Sequence, residues 1–379
     1  MSGEIAQFSF PTEIHFGPGA RRRAAPHLLA HGVKRPLVVT DRGMASLPIL
    51  ADFLATLGGL DASMYAGVHG NPVAGQVERG VAAYRAHRAD AVIGFGGGAA
   101  LDVAKAVALM ATHDGSILEY AWDHPRARPI ERPLPYLVAL PTTSGTGSEV
   151  GRSAVISEEP SGVKRIVFSP ALLARAVFAD PELTLELPAR VTAATGMDAL
   201  THNVESYLSP AFHPICDGIA LEGARIAARS LERAVSRPKD LAARGDMMMA
   251  SMMGAIAFQK DLGAVHSCAH ALGTVVDMHH GLANGIMIDH VMRFNAEAAE
   301  ARMGELARVC GAGSSADDFV GWLARLKARI GIPARLGPSG VSAAHLPRLV
   351  EVALADTCHR TNPRPCSGAD FERIFTAAL

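Results

Sequence analysis

The chain has 379 residues, of which 49% are apolar and 19% are charged, and its formal net charge at pH 7 is −1. This length can form two domains of ordinary size, and the composition provides a large buried core, so a disordered chain is excluded. A nearly neutral chain whose longest basic run is Arg21-Arg22-Arg23 also argues against a nucleic-acid-binding surface.

The cysteines and the apolar stretches bear on the location of the protein. The five cysteines are scattered and never stand in CxxC spacing, which favours reduced thiols over disulfides. The first ten residues lack a basic segment followed by an apolar one, so no signal peptide is expected. The most apolar stretch, 91–112, contains four glycines, Asp102 and Lys105, which is unlike a membrane span. We therefore expect a soluble, cytoplasmic protein.

The first half of the chain alternates strand-length apolar runs with helix-length segments. Buried strands are predicted at 36–40, 91–95 and 136–140. Helices are predicted at 45–57, 73–87 and 99–112. Such alternation, with nearly continuous apolar strands, is typical of a parallel sheet that helices cover on both faces. We therefore predict an α/β domain.

The second half changes character after the proline-bracketed segment 180–188, which we interpret as a hinge. Strand patterns become rare beyond residue 187, and segments rich in Ala, Leu, Met and Arg take over. Helices are predicted at 221–236, 241–259, 296–310 and 315–330. The predicted organisation is an α/β dinucleotide-binding domain at 1–184 and a helical metal-binding domain at 185–379.

Two loops follow predicted strands and contain residues suited to phosphate binding. In Gly94-Phe-Gly-Gly-Gly-Ala-Ala-Leu-Asp-Val-Ala-Lys105 the glycines open a helix, whose backbone N–H groups and positive end can bind a pyrophosphate. This is not the GxGxxG fingerprint, and a lone glycine cluster after a strand is about as often only a tight turn. The second loop, Leu140-Pro-Thr-Thr-Ser-Gly-Thr-Gly-Ser-Glu149, adds hydroxyl groups at the sheet edge where open α/β folds bind ligands.

Asp41 stands directly after the first predicted strand, and two roles remain open for it. Its carboxylate can accept hydrogen bonds from a ribose diol and repel a 2′-phosphate, which would favour NAD. It can equally cap the helix predicted to begin near Met44.

A set of histidines and one aspartate predicts a metal site. Asp198 and His202 are four residues apart in a helical stretch, and His266 and His270 repeat that spacing. Residues at i and i+4 lie on one helix face, so their two side chains can coordinate one ion. His280 follows ten residues after His270. Nitrogen and carboxylate ligands suit Fe²⁺ or Zn²⁺; the alternative is that these are ordinary helix-face and loop histidines.

Together these features resemble the iron-dependent (group III) alcohol dehydrogenase family, from Phe16-Gly-Pro-Gly19 to Thr361-Asn-Pro-Arg-Pro365. The resemblance implies an N-terminal Rossmann-like α/β domain with a parallel sheet, an all-α C-terminal domain and an active site in the cleft between them. It implies the metal ligands Asp198, His202, His266 and His280. It also implies that NAD contacts Asp41, Asn71, Gly97, Gly98, Ala99, Asp102, Thr142, Thr143 and Lys164.

The implied activity is an NAD- and divalent-metal-dependent alcohol dehydrogenase or aldehyde reductase for small substrates, with Fe²⁺ as the metal and Zn²⁺ as its alternative. Hydride would pass from the alcohol carbon to nicotinamide C4 while the metal acts as a Lewis acid. His280 and His270 are the catalytic candidates; His270 would relay the alcohol proton or only orient a ligand. His279 is interpreted as pocket wall or exposed loop. A homodimer is expected, without nucleic-acid or membrane partners.

Some positions depart from the family pattern and leave the substrate open. Ala99 stands where a serine is common, and the segment 259–261 is unusually polar. Arg152 stands where the family often has a smaller residue. Its guanidinium would pair with the carboxylate of a substrate such as a short ω-hydroxy acid. Alternatively, it lies at the surface or binds a phosphate of the cofactor. The alternatives are a hydroxy-acid or glycerol-dehydrogenase-like enzyme of the same superfamily, and a non-catalytic nucleotide- or metal-binding protein.

Overall fold

The computed structural model describes residue 10 and residues 12–379. These residues form two compact units. The α/β unit comprises residues 12–143 and Gly147–Thr184, and the helical unit comprises Phe10, Ser144–Thr146 and Leu185–Leu379.

Parallel strands form the centre of the α/β unit. The strands are β1 (Glu13–Phe16), β2 (Pro36–Asp41), β3 (Ser63–Val68), β4 (Ala91–Gly96), β5 (Tyr136–Pro141), β6 (Ser153–Ser157), β7 (Lys164–Phe168) and β8 (Ala176–Ala179). Six of them form one parallel sheet in the order β1-β8-β5-β4-β2-β3, while β6 and β7 pair as an antiparallel ribbon. The parallel register places the carboxyl ends of β2, β4 and β5 at one edge of the sheet.

Four helices accompany these strands: α1 (Ala24–Ala30), α2 (Pro48–Ala55), α3 (Ala74–His87) and α4 (Gly98–Thr112). All six residues of β4 and ten of the fifteen residues of α4 are buried. A strand buried on both faces needs continuous apolar residues, and Ala91-Val-Ile-Gly-Phe-Gly96 supplies them. The predicted parallel-sheet α/β domain is confirmed.

The helix predicted at 45–57 is interrupted. A short 3₁₀ turn at Met44–Ser46 ends at Leu47, and α2 begins at Pro48. A proline disfavours the helical conformation of the preceding residue, and Leu47 is extended, with φ −90° and ψ 139°. The strands β1, β3 and β8, which the sequence patterns did not reveal, complete the sheet.

The helical unit contains eight α-helices among its described residues and no strand. They are α5 (Ala189–Leu208), α6 (Pro214–Ser236), α7 (Leu241–Ala257), α8 (Ala264–Val276), α9 (His280–Val309), α10 (Ala316–Ile330), α11 (Leu346–Ala355) and α12 (Gly368–Ala378). The predicted all-α domain is confirmed. Helix α9 is twice as long as the predicted segment 296–310, with a non-helical residue at Ala299.

Two further properties follow from the described residues. None of their helices combines the length and the apolarity needed to cross a membrane. All five cysteines carry free thiols, as their spacing predicts.

Candidate active site

Four predicted metal ligands lie together in the helical unit. Helix α5 carries Asp198 and His202, α8 carries His266, and His280 is the first residue of α9. One ligand atom from each lies within 4.8 Å of those from the other three. Asp198, His202 and His266 are buried, and the His280 side chain is 26% exposed. The cluster therefore has three enclosed members and one facing partly outward.

The histidines turn the same nitrogen toward one carboxylate oxygen. Asp198 Oδ1 lies 3.9 Å from His202 Nε2, 3.8 Å from His266 Nε2 and 3.4 Å from His280 Nε2. Asn284, one helical turn after His280, places Nδ2 2.7 Å from Asp198 Oδ1 and within 3.3 Å of the Nε2 atoms of His266 and His280. Four donor atoms of the types that bind divalent transition metals thus converge.

Outer hydrogen bonds orient two of the imidazoles. Glu205 Oε2 lies 2.5 Å from His266 Nδ1, and Glu205 Oε1 accepts from Val265 N at 2.7 Å. The carbonyl oxygen of Gly145 lies 3.3 Å from His202 Nδ1. When Nδ1–H donates to such an acceptor, Nε2 keeps the lone pair that a metal requires.

Burial shifts the pKa values of His266 and of its partner Glu205 toward their neutral forms. Burial, aided by the charge of His202, lowers the pKa of His266 well below its usual value, so its imidazole is neutral at pH 7. Burial raises the pKa of Glu205 to about 7, although backbone N–H groups at Val265 and Gly263 oppose that shift. A neutral imidazole is the form that coordinates a metal.

Two glycines let α9 approach α5 closely beside Asp198. A Cβ atom added at Gly281 would lie 2.3 Å from the Ala194 carbonyl oxygen and 3.3 Å from Asp198 Cβ. A Cβ at Gly285 would lie 3.1 Å from Met197 Cβ. Both positions therefore exclude larger side chains, and their close packing places His280 against Asp198.

His270 lies beside the cluster with its own carboxylate partner. Its Nδ1 is 2.8 Å from Asp356 Oδ2, and its ring stacks on that of His280 with centroids 5.4 Å apart. Burial alone would raise the pKa of Asp356. The charge of His270 and the hydrogen bonds from His270 and Ser267 outweigh burial and lower this pKa, so the carboxyl group is ionised. His279 accepts from Leu282 N at 3.4 Å and caps α9.

The glycine-rich and threonine-rich loops of the α/β unit touch each other. Gly97 is the N-cap of α4 and Gly98 its first residue; a Cβ added at Gly97 would lie 3.3 Å from Thr143 Cγ2. Thr142 N donates to the Gly96 carbonyl oxygen at 3.0 Å. Thr142 Oγ1 is buried without a hydrogen-bond partner among the described residues, which is the state expected of a ligand-facing hydroxyl.

The structure shows one of the two roles left open for Asp41, that of a cap. Its Oδ1 accepts from Met44 N at 2.8 Å, so the carboxylate does cap the following 3₁₀ turn. A Cβ built at Gly96 would lie 3.4 Å from the other oxygen, Oδ2, which places Oδ2 beside the glycine loop. Capping therefore uses one oxygen and leaves the other beside the glycine-rich loop.

The remaining predicted cofactor contacts have varied surroundings. Asp102 accepts from Ser148 Oγ at 2.6 Å and from Val155 N at 3.0 Å, and burial raises its pKa. Those contacts fasten α4 to the start of β6. Ala99 lies in the first turn of α4, Asn71 in the loop after β3, and Lys164 begins β7.

Arg152 precedes β6, and its side chain packs on an aromatic ring. The guanidinium carbon lies 5.5 Å from the ring centroid of Phe168, whose side chain is exposed. The Arg152 carbonyl oxygen accepts from Ser169 N at 3.0 Å. A cation–π contact of this kind attracts the guanidinium to the ring through its charge.

Sequence reasoning missed three residues of the cluster. Glu205 lies seven residues after Asp198, which is two helical turns, and Asn284 lies four after His280, so helical spacing could have pointed to both. Asp356 is 86 residues from its partner His270, and no local pattern links the two.

Comparison with known proteins agrees with this arrangement. The profile described as iron-containing alcohol dehydrogenase matches residues 11–181, and that of the C-terminal part of the Fe-containing alcohol dehydrogenase family matches 192–379. The 4-hydroxybutyrate dehydrogenase of Cupriavidus necator is 39% identical over 99% of this chain and 100% of its own length. The chain belongs to the iron-containing alcohol dehydrogenase family.

Solved structures support the same assignment. A 1,3-propanediol oxidoreductase superposes with a TM-score of 0.94 at 35% identity, covering 99% of this chain and 100% of that one. The sulfoacetaldehyde reductase of Bifidobacterium kashiwanohense, solved in complex with NAD+, gives 0.92 at 27% identity and covers 99% of each chain. The predicted family, fold and class of enzyme, an oxidoreductase acting on CH–OH donors, are confirmed.

Proposed function

We propose that the protein is an NAD-dependent and divalent-metal-dependent dehydrogenase of small primary alcohols that also reduces the corresponding aldehydes. The observation that carries the proposal is the convergence of three imidazole Nε2 atoms on Asp198 Oδ1. A buried carboxylate among imidazole nitrogens is an unfavourable arrangement without a cation, because burying an unpaired charge is costly.

The donor set fits Fe²⁺ or Zn²⁺. Three neutral imidazoles and one carboxylate would leave a divalent ion with a net charge near +1, and His280, the most exposed ligand, stands on the side open to a substrate. When bound, the metal supplies Lewis-acid polarisation of the substrate oxygen. Glu205 and the Gly145 carbonyl hold the rings of His266 and His202 in the ligating orientation.

His270 is the proposed proton acceptor. Because Asp356 Oδ2 lies 2.8 Å from His270 Nδ1, a hydrogen bond between them places a proton on Nδ1, and Nε2 carries the lone pair whenever the imidazole is neutral. Nε2 can then take the hydroxyl proton of the alcohol and return it in the reverse direction. Asp356 acts through His270 and is a positioning residue.

The cofactor would lie at the carboxyl edge of the sheet. Backbone N–H groups at Gly97, Gly98 and Ala99 open α4 and can bind the pyrophosphate, and Thr142 Oγ1 is a hydroxyl in need of a partner. The remaining proposed contacts are Asp41, Asn71, Asp102, Thr143 and Lys164. The bound nicotinamide supplies the hydride acceptor, and an NAD+ complex exists for a relative of the same fold.

A short ω-hydroxy acid is the second candidate substrate. Arg152 offers N–H groups that can pair with a carboxylate, and a relative at 39% identity is named 4-hydroxybutyrate dehydrogenase. Other relatives at 34–35% identity are named 1,3-propanediol dehydrogenase, which favours a neutral small alcohol. A homodimer and a cytoplasmic location stay predictions.

The first experiment tests the activity itself. Metal-stripped protein is reloaded with Fe²⁺ or Zn²⁺ and mixed with NAD+ and 1-butanol, 1,3-propanediol or 4-hydroxybutyrate, while NADH formation is followed. We expect turnover with a metal and none after chelation. Metal and NAD+ binding without turnover on any alcohol or aldehyde would instead identify a non-catalytic binding protein.

The second experiment distinguishes a hydroxy-acid substrate from a plain alcohol. If Arg152 clamps a carboxylate, Arg152→Ala lowers kcat/KM for 4-hydroxybutyrate roughly tenfold or more and leaves 1-butanol nearly unchanged. The exposed Arg126→Ala is the matched control for loss of one surface charge. Equal losses on both substrates would assign Arg152 to cofactor binding or packing, and a plain alcohol would remain the substrate.

A further inference from the structure

A second group of potential metal ligands lies in the α/β unit, away from any residue used above. It consists of Glu13 and His15 on β1 and His27 on α1. One ligand atom from each lies within 4.8 Å of the other two. His15 Nε2 is 3.1 Å from Glu13 Oε1.

The local structure explains why these side chains meet. Residues two apart in a strand share a face, so Glu13 and His15 extend from the same side of β1, the outermost strand of the sheet. His31, the C-cap residue of α1, follows His27 by four residues. The His31 ring lies 4.4 Å from that of His27, centroid to centroid. Two side chains of β1 thus lie close to two side chains at the C-terminal end of α1.

Packing holds both imidazoles in place. The His15 ring stacks on Phe178 at 4.8 Å with an interplanar angle of 2°, and the His27 ring meets the same Phe178 edge-on at 5.4 Å. The Tyr136 hydroxyl lies 2.9 Å from His27 Nε2. Preorganised rings lose little freedom when they bind an ion, and such outer contacts accompany ligating histidines.

Exposure and ionisation also suit a cation. The Glu13 side chain is 60% exposed and that of His15 only 18%, so an ion could enter from solvent and rest against a fixed ring. Burial, followed by the charge of His31, lowers the pKa of His27, which keeps that imidazole neutral near pH 7.

We propose that Glu13, His15 and His27 form a second binding site for a divalent transition metal, with Zn²⁺ as the best match to two nitrogens and one carboxylate oxygen. Water completes the coordination at this open site. A bound ion links the edge strand β1 to helix α1, so its role is structural and separate from catalysis. The proposal does not depend on the activity proposed above.

The test counts metal ions per chain. Full-length protein is stripped with a chelator, dialysed to equilibrium against Zn²⁺ at neutral pH and measured by elemental analysis. We expect two equivalents in the wild type and one in His15→Ala/His27→Ala. The matched control, His87→Ala/His124→Ala, removes two imidazoles from the same unit outside the cluster and should keep both equivalents.

A second pair of variants assigns each equivalent and guards against misfolding. In a His202→Ala/His280→Ala background, one equivalent should remain, and the exposed substitution Glu13→Gln should weaken its affinity about tenfold while the circular dichroism spectrum stays unchanged. When Glu13→Gln is the only substitution in the chain, the alcohol dehydrogenase activity should equal that of the wild type. Retention of both equivalents in His15→Ala/His27→Ala, or the absence of bound metal in the His202→Ala/His280→Ala background, would overturn the proposal.

Discussion

The two units offer different kinds of atoms to the metal and the cofactor proposed for them. The helical unit gathers side-chain atoms of Asp198, His202, His266 and His280 from three helices. The α/β unit offers backbone N–H groups at the start of α4, next to small residues that leave the backbone accessible. A side-chain site is lost when one group is deleted, whereas a backbone site is lost when one atom is added.

This contrast also explains how the glycines differ between the units. Gly96 has φ 149° in the turn after β4, a conformation that other residues rarely adopt. Gly281 has ordinary helical neighbours and is needed only because the α5 backbone lies against it. In the α/β unit, glycine permits a backbone conformation that other residues rarely adopt. In the helical unit, glycine permits two helices to pack closely.

Deleting a ligand from the helical cluster should have the largest effect. His280→Ala or His266→Ala should abolish turnover and metal binding at the helical cluster, because the remaining three groups hold the ion too weakly to prevent its exchange into water. The loss should exceed the roughly 10- to 100-fold that removal of an outer contact costs. His279→Ala, one residue away, removes only a helix cap and should keep the metal. Full metal occupancy of the helical cluster in His280→Ala would show that His280 is not a metal ligand.

Adding one methyl group tests the backbone site. In Gly96→Ala the new Cβ would lie 2.7 Å from Ala100 Cβ in a strained conformation, so the turn must shift. We expect a stability loss of about 1–3 kcal/mol and weaker NAD+ binding with unchanged metal content. Calorimetric titration with NAD+ and elemental analysis measure the two effects. Gly218→Ala, whose added Cβ meets open space in α6, is the control; equal NAD+ affinity in both variants would refute a role for the turn.

Sequence patterns predicted the clustering of the four side chains in the helical unit more accurately than the bounds of the helices and strands. The i, i+4 spacing of Asp198 and His202 survives in the structure because both lie inside one long helix, α5. The start of α9 was missed because Gly281 and Gly285 suggest a loop, and only contact with Ala194 and Met197 explains them. Helix propensity is local, and tertiary packing overrides it here.

The missed strands have a similar cause. Strand β8 has only four residues, Ala176–Ala179, and is identified by pairing with β1 and β5 rather than by length. Strand β1 has an exposed residue at each end, Glu13 and Phe16, as an edge strand can. Partners far apart in sequence, such as His270 and Asp356, leave no local signal at all.

The smallest expected effect concerns Asp41, which caps a turn and is also proposed to contact the cofactor. Asp41→Asn keeps an oxygen that can accept from Met44 N, so the cap is preserved, while the charge beside Gly96 is lost. A carboxylate facing a 2′-phosphate costs on the order of 1–3 kcal/mol. We therefore expect the wild type to prefer NAD+ and the substitution to raise the NADP+/NAD+ ratio of kcat/KM roughly tenfold.

Asp41→Gly separates the two roles, because it removes both the cap and the charge. If the charge sets cofactor preference, Asp41→Asn and Asp41→Gly should change the ratio to a similar extent, and only Asp41→Gly should lower the melting temperature. Steady-state kinetics with both cofactors and thermal denaturation provide the two measurements. An unchanged ratio in both variants would mean that Asp41 only caps the turn after β2, and that the preference for NAD+ must come from another part of the α/β unit.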